Sequence, residues 1–292
     1  MLSILIPIYN YDVTQLVKDL LAQCTALDTP TEIVCYDDKS KSTYQHANAW
    51  LKDVAGVTYR VLPKNLGRSA IRNQLAKAAV FPYLLYLDCD SGIISDDFLK
   101  NYLDHLSADY LVCGGRNYTP QAPKDKLHHL HWLYGSQRET RALQHRQDNP
   151  IRYFHTNNFL IPKSAFDRLS FDESIRSYGY EDLVLAENAN GIGLSVKHID
   201  NPIRHMDLHA AEIFLSKSEA AVKNLIQLNK QGYNFNSKLE KSAYWIKRCG
   251  LSSMYIHYFK RNRKGIITNL KSANPSLRNL DLYKLNTYLE NQ

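Results

Sequence analysis

A chain of 292 residues is long enough for one large α/β domain, or for one domain with a helical extension. Its content of 44% hydrophobic and 22% charged residues excludes disorder as the default and calls for a sizeable core. A net charge of +7 leaves three partner classes open: nucleic acid, an anionic membrane surface or an anionic small substrate.

In chain order, residues 2–8 form a continuous apolar run, the pattern of a buried parallel strand. Residues 13–24 carry apolar positions at helical spacing, and 32–36 are a second short β-rich run that ends in Asp37-Asp38 and a polar turn. A helix over 42–54, a strand over 57–62 and a helix over 68–79 follow. The strand 83–87 runs straight into Asp88-Cys89-Asp90, and 109–113 reads as a fifth strand. This alternation predicts an open, mostly parallel sheet flanked by helices. In such sheets ligands bind beyond the carboxyl ends of the strands. Tyr9-Asn10, Asp37-Asp38, Lys64-Asn65 and Asp88 to Asp90 all fall there.

The second half is less regular. It predicts a helix over 127–144 containing His128, His129 and His131, a strand over 153–162, and a helix over 180–190 closed by Gly191. A strand over 194–199 and helices over 209–231 and 237–247 follow, and the tail is rich in Asn, Ser and Tyr turns. The three histidines make a poor ligand set by spacing and read as surface or acceptor-side residues rather than a zinc site. A boundary near residue 208 divides a catalytic domain, 1–208, from a helical C-terminal extension, 209–292.

Five dispersed cysteines without a CxxC pair indicate neither a zinc knuckle nor a disulfide framework, and fit a reducing compartment. The apolar N-terminal run is too short for a signal peptide, and no stretch approaches 18 apolar residues. The expected location is cytoplasmic, peripheral at the inner face of a membrane. The densest basic run, Lys260-Arg261-Asn262-Arg263-Lys264, lies beside Tyr255, Tyr258 and Phe259. It reads equally as a solvated helix end and as a contact with an anionic membrane surface.

Two carboxylates one residue apart at a strand end can face one hard divalent ion, which takes oxygen ligands and bridges phosphates. An isolated DxD is more often a turn or cap, and its place after the fourth strand is what gives it weight. Five pieces occur in order: Ile6-Pro7-Ile8-Tyr9-Asn10; Asp37-Asp38; Asn65-Leu66-Gly67-Arg68 with Arg72-Asn73; Asp88-Cys89-Asp90; and Gly179-Tyr180-Glu181-Asp182. Together they resemble the inverting family 2 glycosyltransferases of the GT-A fold, over roughly residues 1–208.

The resemblance implies roles for these residues. Pro7, Tyr9 and Asn10 would line the nucleotide pocket, and Asp37 would accept a hydrogen bond from a uracil imide, favouring a UDP-sugar. Asn65 and Arg68 would bound the base and phosphate side. Asp88 would contact the ribose or the metal's water shell, with Cys89 a backbone spacer. Asp90, with His205 and Asp88, would hold Mn²⁺ or Mg²⁺, imidazole suiting Mn²⁺ better. Asp182 would be the catalytic base, although an acidic residue at a helix start also complements the helix dipole. Asn158, Tyr180 and Glu181 would face the acceptor, with a plain turn the other reading of Asn157-Asn158.

The implied activity is metal-dependent hexosyl or N-acetylhexosaminyl transfer to a saccharide or lipid-linked acceptor, in cell-surface polysaccharide or glycoconjugate synthesis. No QxxRW-type motif follows Asp182, which points to single addition rather than processive synthesis. The alternative, a nucleotidyltransferase acting on sugar phosphates, normally shows a glycine-rich loop after the first strand, where this chain has Pro7-Ile8-Tyr9-Asn10. Nucleic-acid binding lacks a clustered basic and aromatic stripe in the first 200 residues.

Overall fold

A computed structural model of the chain describes residues 1–175 and 178–292. The elements run β1 (Leu2–Ile8), α1 (Thr14–Thr25), β2 (Thr31–Asp37), α2 (Ser42–Ala47), β3 (Val57–Val61), α3 (Arg68–Ala78), β4 (Tyr83–Leu87) and β5 (Ser91–Gly92). Next come α4 (Phe98–Leu103), β6 (Tyr110–Cys113), β7 (Arg116–Asn117), α5 (His129–Tyr134), α6 (Leu143–Gln147), β8 (Asn158–Pro162), α7 (Lys163–Leu169) and α8 (Glu181–Gly191). The chain ends with β9 (Ser195–His198), β10 (Ile203–His205), α9 (Ala211–Lys230), α10 (Lys238–Arg248), α11 (Ser252–Leu270) and α12 (Leu277–Asn291). Two compact units result. The first holds residues 1–117, 140–175 and 181–206, the second 118–139, 178–180 and 207–292. The division is therefore interleaved, not a single cut near residue 208. Leu130, Leu133 and Tyr134 explain part of this, because they pack with Ala211, Phe214 and Leu215 of α9.

The main sheet of the first unit has the order β3-β2-β1-β4-β8-β6-β9. β3, β2, β1 and β4 are mutually parallel; β8 runs antiparallel to both neighbours, and β9 is parallel to β6. Side chains alternate between two cores. Ile4, Ile6 and Ile8 pack with Leu16, Val17 and Leu20 of α1 and Phe98, Leu99 and Tyr102 of α4. Leu5, Val34, Tyr36 and Tyr86 face Ile71 and Leu75 of α3, Phe166 of α7 and Leu185 and Ala186 of α8. A fully buried Leu or Ile contributes roughly 1.5–3 kcal/mol. The unbroken apolar run of β1 is thus what a strand covered on both faces needs. A second, small sheet joins β5, β10 and β7, with His205 opposite Ser91 and Arg204 opposite Gly92.

The helix expected over 127–144 is broken: α5 passes into a wide turn over Gly135–Glu139 before α6. A Cβ at Gly135 would lie 2.1 Å from the Tyr118 ring, so only glycine lets that ring close over the turn. Helices α4 and α7 were not expected. In the second unit the tail is helical where turns were expected. Phe259, Ile266 and Leu270 of α11 and Leu277 and Leu280 of α12 bury against α9, and Asn269 Oδ1 ties the intervening turn by accepting from the Ser276 amide at 2.9 Å. Helix α10 opens with a capping box: Ser237 Oγ accepts from the Glu240 amide, and Glu240 accepts from the Ser237 amide. Among the described residues no helix is long and apolar enough to cross a membrane.

Candidate active site

The parallel register brings the ends of β1 and β2 together, with Ile8 opposite Asp37 and the Asp38 amide donating to Ile8 O at 2.8 Å. Asn10 takes a left-handed conformation (φ 52°), which asparagine tolerates. It staples the two loops: its amide donates to Ser40 Oγ at 2.8 Å, and its Oδ1 accepts from the Lys41 amide at 2.9 Å. Pro7 is half-buried within β1, and Tyr9, just beyond it, is 55% exposed.

Asp37 is placed differently from the expectation. It is completely buried, its Oδ1 accepting from the Ser40 amide at 2.6 Å and its Oδ2 from the Tyr59 hydroxyl at 3.3 Å. With both oxygens committed inside the loop, it has no face for a uracil imide. Asp38 is likewise spent, accepting from the amides of Leu66 (2.6 Å) and Gly67 (2.9 Å). Burial raises the Asp38 carboxyl above its ordinary range despite those two donors. Gly67 sits at φ 87°, a conformation glycine adopts freely, and so aims its amide at Asp38 while opening α3. Asn65 belongs to this scaffold too, its Nδ2 donating to Asp38 O at 3.0 Å.

β4 delivers the acidic triplet. The Asp88 amide donates to Asn157 O at 3.1 Å, and the Ser91 amide closes back on Asp88 O at 3.1 Å. Asp88 is engaged by arginines in this arrangement. Its carboxylate accepts from Arg72 at 2.5 Å and lies 3.7 Å from Arg68. Burial opposes the charged form, but the Arg72 and Arg68 guanidiniums outweigh it and hold the carboxyl below the usual range. Arg72 is 2% exposed, its guanidinium 5.5 Å from the centre of the Phe171 ring. Arg68 continues the network to Glu181 at 3.3 Å. Cys89 packs into the core, and burial, then the adjacent Asp90 charge, push its thiol up.

Asp90 and His205, 115 positions apart in sequence, do meet. The β5–β10 register sets His205 opposite Ser91, and the Met206 amide donates to Asp90 O at 2.9 Å. The side chains come within 3.5 Å, each less than a fifth exposed. One carboxylate and one imidazole suit a borderline ion such as Mn²⁺. They would leave its remaining positions to substrate oxygens and water. Among the described residues no group of three or more His, Cys, Asp or Glu is placed to hold an ion.

Asp182, in the first turn of α8, accepts from His155 Nδ1 at 3.2 Å through Oδ2. Its Oδ1 accepts from the Leu183 amide at 2.9 Å. Burial opposes its ionisation, but the His155 hydrogen bond and charge, helped by Leu183 and Arg116, hold the carboxyl below its ordinary range. Arg116 also lowers Asp88. Arg68, bridging Asp88 and Glu181, brings the start of α8 beside the triplet. Sequence reasoning missed His155 and Arg116, and left Arg72 as a motif letter without a role.

The acceptor residues are placed unevenly. Asn158 is fully buried; it accepts from the Tyr102 hydroxyl at 2.6 Å and donates to Gly115 O (2.8 Å) and Asn201 O (2.9 Å). It is a structural tie, with its amide used up. Glu181 is 9% exposed and held by Arg68. Tyr180 belongs to the second unit, where its ring packs on Phe235 at 5.4 Å. His131, also in the second unit, is buried and stacked on Phe214 at 4.8 Å.

A mostly parallel sheet with carboxylates gathered beyond its strand ends defines a GT-A type glycosyltransferase domain. The family model "Glycosyl transferase family 2" matches residues 3–170, more than half of the chain, which belongs to that family. A search of curated proteins gave no match. Among solved structures, the chain is similar to the mannosyltransferase PcManGT from Pyrobaculum calidifontis, in complex with GDP-Man and Mn²⁺. The identity is 15% and the TM-score 0.55, over 78% of this chain and 64% of that one. It is similar also to S. aureus TarS, at 16% identity and TM-score 0.51, over 84% of this chain and 47% of that one. The 1–349 form of TarS matches at 16% identity and TM-score 0.51, over 100% of this chain and 92% of that one. The chain thus spans less than two thirds of PcManGT and about half of the longer TarS chain.

Proposed function

We propose that this family 2 glycosyltransferase moves a hexosyl or N-acetylhexosaminyl group from a nucleoside-diphosphate sugar to a saccharide or lipid-linked saccharide, inverting the anomeric centre with help from a divalent cation. The observation that carries the reading is that the Asp90–His205 pair and the Arg72–Asp88–Arg68–Glu181 network meet beyond the carboxyl end of β4, with Asp182 next to Glu181 at the start of α8. The similar mannosyltransferase, solved with GDP-Man and Mn²⁺, supports a nucleotide-sugar donor and a cation. UDP is the first nucleotide to test. The burial of Asp37 removes the specific argument for uracil, so GDP stands beside it.

Asp90 and His205 would hold Mn²⁺ or Mg²⁺, which when bound would neutralise charge on the leaving diphosphate. Asp182 takes the acceptor hydroxyl's proton as the acceptor oxygen bonds to the anomeric carbon. The bond from that carbon to the diphosphate oxygen breaks in the same displacement, and the nucleoside diphosphate leaves. His155 aims Asp182 and keeps it ionised. Arg68 holds Asp88 and Glu181 on the phosphate side, and the exposed Tyr9 ring offers a stacking face for a base. The setting is a cytoplasmic enzyme of cell-surface polysaccharide or glycoconjugate synthesis, working against an anionic membrane surface. A thermal-shift panel of UDP, GDP, CDP and dTDP, each with and without Mn²⁺, tests the reading. A nucleotide that binds the folded state raises Tm, and a panel with no cation-dependent rise would refute it.

A further inference from the structure

The membrane contact has no place on the fold yet, and two of the three aromatics first associated with it are turned inward. Phe259 is 2% exposed in the core of the second unit, and Tyr255 is half-buried, its hydroxyl donating to Leu282 O at 3.0 Å. They hold α11 to the unit and cannot enter a bilayer. Tyr258 instead stands in solvent, together with other apolar side chains. Tyr244 (56%), Trp245 (58%), Leu251 (41%), Met254 (63%) and Tyr258 (52%) all lie within residues 244–258, across the end of α10, the turn and the start of α11. Leu251, Met254 and Tyr258 recur at i, i+3 and i+7, one stripe along α11.

The charge around them is one-sided. Between residues 238 and 264 the chain has eight basic residues, Lys238, Lys241, Lys247, Arg248, Lys260, Arg261, Arg263 and Lys264, and one acid, Glu240. Glu240 is spent in the capping box of α10, and Lys260 shares Glu290 at 3.4 Å. All eight basic residues are exposed. Arg248 packs over the Trp245 ring at 5.4 Å and donates to the Tyr244 hydroxyl at 3.1 Å, so cation and aromatics form one patch.

We propose that the α10–α11 corner, with Trp245, Leu251 and Met254 at its centre, seats the protein on an anionic lipid surface. The proposal rests on the membrane contact inferred above and gives it residues. Trp and Tyr have an apolar body and a polar tip and settle at the headgroup level. Lys and Arg around them meet anionic headgroups, each strengthening binding by roughly fivefold. A second copy of the chain suits the patch poorly, since pairing would bring two strongly basic faces together.

Cosedimentation of the full chain with phosphatidylserine-rich vesicles, and with pure phosphatidylcholine vesicles, tests it. An environment-sensitive probe on Cys249, which is exposed while Cys35 and Cys113 are buried and Cys24 and Cys89 half-buried, reports insertion. The expected result is binding to the anionic vesicles with a blue shift of the probe. Trp245→Ser with Met254→Ser should weaken it about tenfold. Lys247→Gln, Arg248→Gln, Arg261→Gln and Lys264→Gln together should weaken it at least about a hundredfold. Unchanged circular dichroism in both variants would exclude misfolding. No binding by the wild type would refute membrane contact altogether. Wild-type binding that both variants retain would refute this placement only. Concentration-dependent self-association abolished by Trp245→Ser, without vesicle binding, would assign the patch to a second copy and overturn the proposal.

Discussion

Arg72→Met isolates the energetic centre of the site. Arg72 is 2% exposed and its guanidinium meets Asp88 at 2.5 Å, while Arg68, the other cation, stands at 3.7 Å and is half exposed. Removing one partner of a buried ion pair costs about 3–5 kcal/mol, mostly because the other charge stays buried and unpaired. Asp88 retains Arg68 and is one-fifth exposed, so the lower end, about 3 kcal/mol, is expected. For a unit of this size that lowers Tm by roughly 6–12 °C, at about 2–4 °C per kcal/mol. Methionine replaces the apolar stem but loses the guanidinium over the Phe171 ring, a smaller contribution of about 1 kcal/mol. The assay is scanning calorimetry of Arg72→Met, Asp88→Asn and the double variant. Neutralising Asp88 in the Arg72→Met background removes the stranded charge, so the double variant should be more stable than the sum of the singles predicts, by at least about 1 kcal/mol. A drop below about 2 °C for Arg72→Met, or strict additivity, would refute the reasoning.

Other consequences concern single groups. His198 is 2% exposed, accepts from Arg146 at 2.9 Å, and is pushed down to about 4, by burial first and then by the Arg146 charge. Because its folded value lies below its unfolded one, the neutral ring's contribution is complete above about pH 6.5 and is lost as pH falls towards 4, amounting to about 3 kcal/mol. Urea unfolding at pH 7 and 4.5 should show this loss in the wild type, and His198→Gln should flatten it. His155→Leu removes the main group lowering Asp182, so the acid limb of the kcat profile should move to higher pH with KM little changed; an unmoved limb would sink the positioning role. Asp90→Ala or His205→Ala should each abolish the cation-dependent nucleotide shift in Tm. Asp182→Asn should keep that shift and lose transfer by at least about a hundredfold.

The β–α alternation of the first half was legible because each strand is an unbroken apolar run and each helix has an apolar stripe, signals that local sequence carries. The strand-end positions of the acidic residues followed directly. The allocation of those acids did not. Asp37, Asp38 and Asp88 look alike in sequence, yet two are consumed by loop amides and a tyrosine, and the third by guanidiniums. Which one stays available depends on register and on helices that come later in the chain. His155 was invisible because nothing local marks a histidine four residues before Phe159 as facing a helix N-terminus twenty-seven residues on. Helices α11 and α12 were missed for another reason: the apolar residues of α12 serve two separate clusters, so tertiary burial rather than a single periodic stripe makes it helical.

The charges around the site explain why the proposed nucleotide should require a cation. Asp88, Asp90, Glu181 and Asp182 carry four negative charges; Arg68, Arg72 and Arg116 return three. Arg72 is locked beneath Asp88, and Arg68 is shared between Asp88 and Glu181. A diphosphate entering this field meets no uncommitted guanidinium in Arg68 or Arg72 and faces the carboxylate of Asp90 beside His205. Like charges a few ångströms apart in a poorly solvated site cost several kcal/mol. A divalent ion between Asp90, His205 and the phosphates turns that repulsion into attraction. Asp90→Asn should therefore weaken the cation's hold yet raise the small residual affinity for nucleotide measured in EDTA. If the residual affinity instead falls, Asp90 contacts the nucleotide directly, and the charge argument is wrong.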